Sequence, residues 1–183
     1  GNNLDQNYME AGPFFSFSSS SRFKHQLGGR YLFRNQKFLP TIATHYLFDN
    51  FDSWLSYSQG FRNPTLTDLF ANSPFFVGEP NLQPENLHQW ELGLKRTVLR
   101  PLVQMTYDVR VFHMEYLNFI ESYEKSPGVY SRRNQGDGYS RGIDLQMQAT
   151  HFRNTFLVSY NFLDSKSRKE DRAFRLSPRH QMN

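Results

Sequence analysis

The chain has 183 residues, with 21 Lys and Arg against 17 Asp and Glu, a formal net charge of +4 and a pI near 9.4. It has no cysteine, which excludes disulfide frameworks, thiolate metal sites and thiol nucleophiles. No Lys/Arg run exceeds two residues, so a nucleic-acid partner is not indicated. Aromatics are abundant (Phe 18, Tyr 10, Trp 2), while Ala occurs only 5 times, a balance that favours strands over helices. No apolar run exceeds three residues, far short of the roughly 20 that a membrane-spanning helix needs. A mean hydropathy of −0.69 still leaves a membrane β-barrel open, because its strands are only half apolar. The chain opens Gly1-Asn2-Asn3-Leu4, without Met or a signal-peptide pattern, and reads as a mature segment or a piece of something longer.

The dominant period is two. Strands are expected near 9–18, 24–33, 38–48 and 52–60, with Pro13 and Pro40 marking bends or strand ends. Segment 85–97 places Trp90, Leu92 and Leu94 on one face and Gln89, Glu91, Gly93 and Lys95 on the other. Segment 102–115 alternates most cleanly: Val103, Met105, Tyr107, Val109 and Val111 oppose Gln104, Thr106, Asp108 and Arg110. Segment 138–150 sets Ile143, Leu145, Met147 and Ala149 against Gly142, Asp144, Gln146, Gln148 and Thr150. Segment 155–163 sets Phe156, Val158, Tyr160 and Phe162 against Thr155, Ser159 and Asn161. Residues 178–183 look like the start of a ninth strand.

Connection lengths alternate. Short links fall near 19–23, 49–51, 98–101 and 151–154, and long ones at 61–84, 116–137 and 164–177; the link near 34–37 is short where a long one is due. Short turns on one edge and long loops on the other are the habit of an outer-membrane barrel. The expected fold is therefore all-β: an antiparallel up-and-down transmembrane β-barrel segment, about eight to nine strands of a larger barrel. Up-strands are expected at 24–33, 52–60, 102–115 and 154–164. Val103, Met105, Tyr107, Val109, Leu92, Leu94, Ile143, Leu145, Phe156 and Val158 would then face lipid. A turn centred on Leu99-Arg100 would set Glu91 opposite Arg110. The alternative is a soluble antiparallel β-barrel or sandwich serving as a ligand-binding module.

Stretch 54–66 reads Trp-Leu-Ser-Tyr-Ser-Gln-Gly-Phe-Arg-Asn-Pro-Thr-Leu. It is followed by Gly78-Glu79-Pro80-Asn81-Leu82-Gln83-Pro84-Glu85 and by Trp90-Glu91-Leu92-Gly93-Leu94-Lys95. Later come Tyr139-Ser140-Arg141-Gly142-Ile143-Asp144, Ser159-Tyr160-Asn161-Phe162-Leu163-Asp164 and Ser177-Pro178-Arg179-His180-Gln181. In this order and spacing the pieces resemble the barrel of TonB-dependent outer-membrane receptors, strongly over 54–183 and more weakly over 1–53. The resemblance implies a partial receptor barrel domain over 1–183, with the family's plug domain lying outside it. It also implies the bacterial outer membrane, lipid around the barrel, a TonB-type energy-transducing partner gripped through a missing N-terminal region, and transport rather than enzyme catalysis. The imported nutrient would be a ferric siderophore in the first place, with cobalamin, haem or a glycan as alternatives.

Gly60, Phe61, Arg62 and Pro64 mark a strand exit, and Pro80, Leu82, Pro84 and Glu85 mark re-entry, since proline is barred from central strands and extends the residue before it. These eight form an expected structural rim motif, with an Arg62–Glu85 pair as its staple. Ligand-binding candidates are Phe75 and Phe76 in one loop and Tyr123, Tyr130, Arg132 and Arg133 in another, aromatic and basic residues suited to an anionic chelate. The six histidines show no strand spacing that would hold a metal, no nucleophile motif occurs, and no resident cofactor is expected.

Overall fold

The computed structural model describes residues 10–168 and 180–182. In chain order the strands are β1 (Glu10–Ala11), β2 (Phe14–Ser18), β3 (Phe23–Leu32), β4 (Lys37–Phe48), β5 (Phe51–Arg62), β6 (Phe76–Val77), β7 (Glu85–Leu99), β8 (Val103–Ser126), β9 (Val129–His151), β10 (Asn154–Ser167) and β11 (His180–Met182). One short helix, α1 (Leu66–Phe70), lies between β5 and β6. All eleven strands join a single sheet whose path is β1-β3-β4-β5-β7-β8-β9-β10-β11. Every neighbour on that path is antiparallel and next along the chain, apart from the short strands β2 and β6, which pair β3 and β9.

Over the described residues the expected strands are present, with three differences; most of the expected link at 164–177, and residues 178, 179 and 183 of the last expected strand, lie outside the described residues. Segment 9–18 is one line of pairing split in two: β1 and β2 both pair β3, and Pro13, which has no N–H, falls in the gap. Pro40 does not end a strand; it sits inside β4 opposite Gly29. The ladder from β4 to β5 begins only at Thr41, one residue beyond the missing donor. The third difference is the largest. Residues 116–137 are no loop: β8 and β9 continue as a long hairpin closed by two residues. Above the bilayer both faces of a strand meet water or other loops, so the hydrophobic alternation that betrays a strand is missing there.

The register of β7 on β8 also departs from expectation. Arg100 and Val103 exchange hydrogen bonds of 2.9 and 3.3 Å, so the turn centres on Pro101-Leu102. Proline presets the first central position of a turn. Gly93 therefore faces Arg110, and Glu91 faces Phe112, two residues away from the expected partner. Parity is unchanged, so each face keeps its residues. Lys95 now faces Asp108, and Asp108 and Asp144 flank Arg110 at 3.7 and 3.8 Å.

The two faces differ in chemistry. One carries cross-strand rows such as Leu55-Leu92-Val111-Ile143-Phe162 and Leu94-Val109-Leu145-Tyr160. All ten residues expected to face lipid lie here. A belt of rings bounds this band toward the long-loop edge: Tyr57 to Trp90 at 5.3 Å, Trp90 to His113 at 5.8 Å, and His113 to Tyr139 at 6.1 Å. Just beyond it come charged pairs, Arg141 with Asp164 at 3.0 Å and Arg168 with Glu115 at 2.7 Å. Toward the short-turn edge a second belt runs Phe23, Tyr46, Phe48 and Phe51, with centres 4.6–6.2 Å apart. Aromatic girdles flanking an apolar band are the signature of a strand-built membrane wall.

The opposite face is polar, and its bulk is placed over glycines. Trp54 lies directly across from Gly93, and its Nε1 donates to Glu91 at 2.7 Å. A β-carbon on Gly93 would meet the Trp54 ring at 2.0 Å. Phe112 covers Gly142 in the same way. The aromatic occupies the space that the missing side chain leaves.

Two outcomes are expected. Gly93→Ala destabilises the barrel by about 1–3 kcal/mol, as overpacking does, and adding Trp54→Ala restores much of the loss; denaturant unfolding in lipid of the four proteins in that cycle measures the coupling. Val109→Arg, on the apolar face, costs about 2–4 kcal/mol near the bilayer midplane, while Thr106→Arg on the polar face is tolerated. Equal folding yields for the two would reverse the assignment of faces.

Candidate functional site

The long-loop edge gathers the unusual residues. Segment 63–84 leaves β5 and crosses to the far side of the β8–β9 hairpin. There β6 pairs in parallel with β9, Phe76 beside Tyr130 and Val77 beside Ser131. The Tyr130 N–H donates to the Phe75 carbonyl at 2.8 Å. The Phe75-Phe76-Val77 triplet is thus a strand in part, not a free loop.

Both ends of this crossing are clamped. At the root, Arg62 Nε lies 2.6 Å from Glu85 Oε2, so the expected staple is formed. Glu85 Oε1 also accepts the Ile120 N–H at 2.6 Å, which ties the staple to β8. Asn63 and Asn35 exchange amide hydrogen bonds of 3.0 and 3.1 Å, holding the exit against the β3–β4 turn. Asn134 accepts from the Gln83 N–H at 2.7 Å and donates to the Gln83 carbonyl at 2.9 Å. Of the rim motif, Phe61 stacks under the Lys37 ammonium at 4.6 Å and Gly60 faces Leu87. Pro64, Pro80, Leu82 and Pro84 line an apolar notch of about 340 Å³ beside α1.

In the middle, α1 forms because Thr65 and Asp68 make a capping box: the Asp68 N–H donates to Thr65 Oγ1 at 3.1 Å and the Thr65 N–H donates to Asp68 Oδ2 at 3.0 Å. Gly78 packs so closely on this helix that a β-carbon would lie 2.6 Å from the Leu69 carbonyl. Asp68 is 7% exposed and its other oxygen holds Arg132 Nε at 3.2 Å. Burial pushes its carboxyl up, but the Thr65 hydrogen bonds and the charges of Arg132 and Arg62 outweigh that and hold its pKa below the ordinary value.

The six ligand-binding candidates therefore divide. Phe75, Phe76, Tyr130 and Arg132 come together where β6 meets β9, with the Arg132 guanidinium 5.9 Å from the Phe76 ring. Arg133 and Tyr123 form a second group: Arg133 bonds Glu121 at 2.6 and 3.0 Å and lies 5.0 Å from the Tyr123 ring. Adjacent strand residues point to opposite faces, so the two arginines leave β9 on opposite sides. Both are already ion-paired. Phe75 is 73% exposed and Tyr130 48%, leaving these rings as the free surface. The sequence reading missed Asp68 and Glu121, although Thr65-Leu66-Thr67-Asp68 carries the capping-box spacing that announces the helix.

Residues 8–183 match the family described as TonB dependent receptor-like, beta-barrel. The chain belongs to that family. No curated protein matches it. The hemophore receptor HasR of Serratia marcescens is 15% identical, with a TM-score of 0.73 over 86% of this chain and 34% of its own. The siderophore receptor PirA of Acinetobacter baumannii is 14% identical, with a TM-score of 0.71 over 94% and 30%. The copper transporter OprC is 17% identical, with a TM-score of 0.70 over 90% and 30%. The chain thus spans about a third of the length of these structures. TonB-dependent receptor barrels reside in the bacterial outer membrane, and the apolar face and its girdles fit that place. A soluble binding module is set aside by the same finding.

Because the Asp68 pKa is lowered on folding, its contribution is present above the ordinary carboxylate range and is lost as pH falls through the folded value. These 183 residues contain no cysteine, so, with any cysteine elsewhere in the receptor replaced, a spin label at Phe75→Cys reports on docking of 63–84 alone. The label is expected to be restrained at neutral pH and to gain mobility as the solution is acidified below the carboxylate range. Asp68→Asn should give the mobile spectrum at neutral pH.

Proposed function

We propose that this chain is part of the barrel wall of an outer-membrane importer, the plug and the remaining strands being supplied by sequence outside residues 1–183. The whole receptor takes up a scarce nutrient, a ferric siderophore first, and draws energy from a TonB-type partner that it engages outside this segment. Support for the ligand class comes from one observation: exposed rings, Phe75 and Tyr130, stand on the long-loop edge beside a scaffold of fixed arginines. Rigid aromatic surface binds a bulky chelate at small entropic cost. Solved receptors of the same fold are named for a siderophore and for a hemophore with heme, and those names support trying an iron source first.

Phe76, Tyr123, Arg132 and Arg133 serve this site in two ways. Arg132 and Phe76 hold the crossing segment against β9, and Arg133 holds Tyr123 across the hairpin. With their charges already paired, the arginines orient the rings more than they attract an anion.

The test is equilibrium binding of a panel of ferric chelates, haem and cobalamin to the complete receptor in detergent. Phe75→Ala with Tyr130→Ala is expected to weaken the cognate ligand by tenfold or more, the scale of one or two hot-spot residues. Arg133→Ala should weaken it less. Undiminished affinity of the Phe75/Tyr130 double variant for every ligand that binds would move the site to the plug or to strands outside this segment.

A further inference from the structure

A cluster of basic residues on the apolar face has no role in the import reading. On β7 the outward positions run Trp90, Leu92, Leu94, Arg96 and Val98, and Arg100 continues the row in the turn. Arg96 and Arg100 are both exposed. Among the described residues neither has a carboxylate within ion-pair distance; the Arg96 guanidinium lies 4.6 Å from the Phe51 ring centre. Asp52, on the neighbouring strand, belongs to the polar face and contacts His45 at 3.5 Å. The two arginines bound a groove of about 520 Å³ whose other walls are Phe51, Leu94, Val98, Met105, Tyr107 and Val109.

Position in the bilayer follows from strand geometry. Ten residues separate Trp90 in the upper belt from Arg100, about 33 Å along the strand. At the usual tilt this is about 25 Å of height, the thickness of a barrel's apolar band. Arg100 therefore stands at the interface on the short-turn side, which is the periplasmic one. Arg96 lies opposite Phe51, level with the lower ring belt, from where its stem can carry the guanidinium toward the headgroups. An unpaired guanidinium on a lipid face is costly unless an anion meets it.

We propose that this groove is a binding site for an anionic phospholipid of the periplasmic leaflet. Its phosphate lies between Arg96 and Arg100, and one acyl chain runs along Leu94, Val98, Met105 and Val109. Planar guanidinium groups match phosphate oxygens in pairs, and the alternation of apolar wall and basic end is that of the lipid itself. Phe51 stacks on Arg96 and holds it over the groove. The inference rests on the placement of the apolar face against lipid and is independent of what the receptor imports.

The test uses the complete receptor in nanodiscs of equal phosphatidylcholine and phosphatidylglycerol, released and weighed by native mass spectrometry to count retained lipids. Phosphatidylglycerol is expected to exceed phosphatidylcholine among them. Arg96→Gln with Arg100→Gln should lower retained phosphatidylglycerol by about fivefold for each arginine removed, and Arg96→Lys with Arg100→Lys should keep most of it. Arg153→Gln, at the next short turn and outside the groove, should change nothing. Glycerol phosphate at equal concentration should not displace the lipid. Equal retention of the two lipids by the unaltered receptor overturns the proposal, whatever the variants do. So does loss of retention in Arg153→Gln equal to that of the double variant, which would mean a general edge charge. Displacement by glycerol phosphate would also overturn it, reducing the site to an anion site without a chain groove.

Discussion

A backbone N–H or C=O inside hydrocarbon has no water to bond, and leaving it unpaired costs several kcal/mol. Each strand that crosses must therefore be paired along its whole buried length by neighbours on both sides. This requirement explains why the path through the sheet follows chain order: adjacent antiparallel strands need only a short turn at one edge and a loop at the other. It explains the period of two, since a wall with lipid on one side and a polar lumen on the other must alternate. It also fits the places of the two prolines: Pro13 falls in the gap between β1 and β2, and Pro40 lies one residue before the β4–β5 ladder begins, so neither interrupts the paired interior of β7–β10. A proline there would remove a bond that nothing could replace.

The constraint relaxes where the strands rise out of the bilayer, and the structure changes character at that level. On the apolar face the change is marked by a ring belt and then by charged pairs. Above it β8 and β9 carry irregular register and polar side chains on both faces. The free edge of β9 is taken by β6, a segment from the other side of the hairpin. Carboxylates now hold the loops: half-buried Glu85 binds Arg62 and the Ile120 amide, and buried Asp68 binds Arg132 and its own helix cap. Removing one member of such a network leaves the other unpaired, which is more damaging than never having had the pair. The candidate ligand surface rests on this scaffold, with exposed Phe75 and Tyr130 at its crest.

The two ends of the apolar face are not equivalent. The long-loop end closes with neutralised pairs such as Arg141–Asp164, whereas the short-turn end leaves Arg96 and Arg100 without carboxylate partners among the described residues. One end satisfies its charges within the protein. The other turns them toward the membrane, where anionic headgroups are the available partners.

Much of this was legible in the residues alone. Alternation in 85–97, 102–115, 138–150 and 155–163 was enough to assign strands and faces, because burial on one side only leaves a period-two trace. Proline spacing and the Arg62–Glu85 pair marked where β5 ends and β7 begins. Three things were not legible. The β7–β8 register shifted by two because a turn is set by backbone torsion at Pro101, while opposite charges on several neighbouring strand positions satisfy more than one register equally well. Strand structure in 116–137 left no alternating trace, since apolar Ile120 and polar Ser131 and Gln135 are buried alike there. The joining of Asp68 to Arg132, and of Phe76 to Tyr130, depends on a chain crossing between residues more than fifty positions apart. Local sequence carries no record of such a contact; only the packed sheet, by offering β9 an unpaired edge at that height, decides where the loop comes to rest.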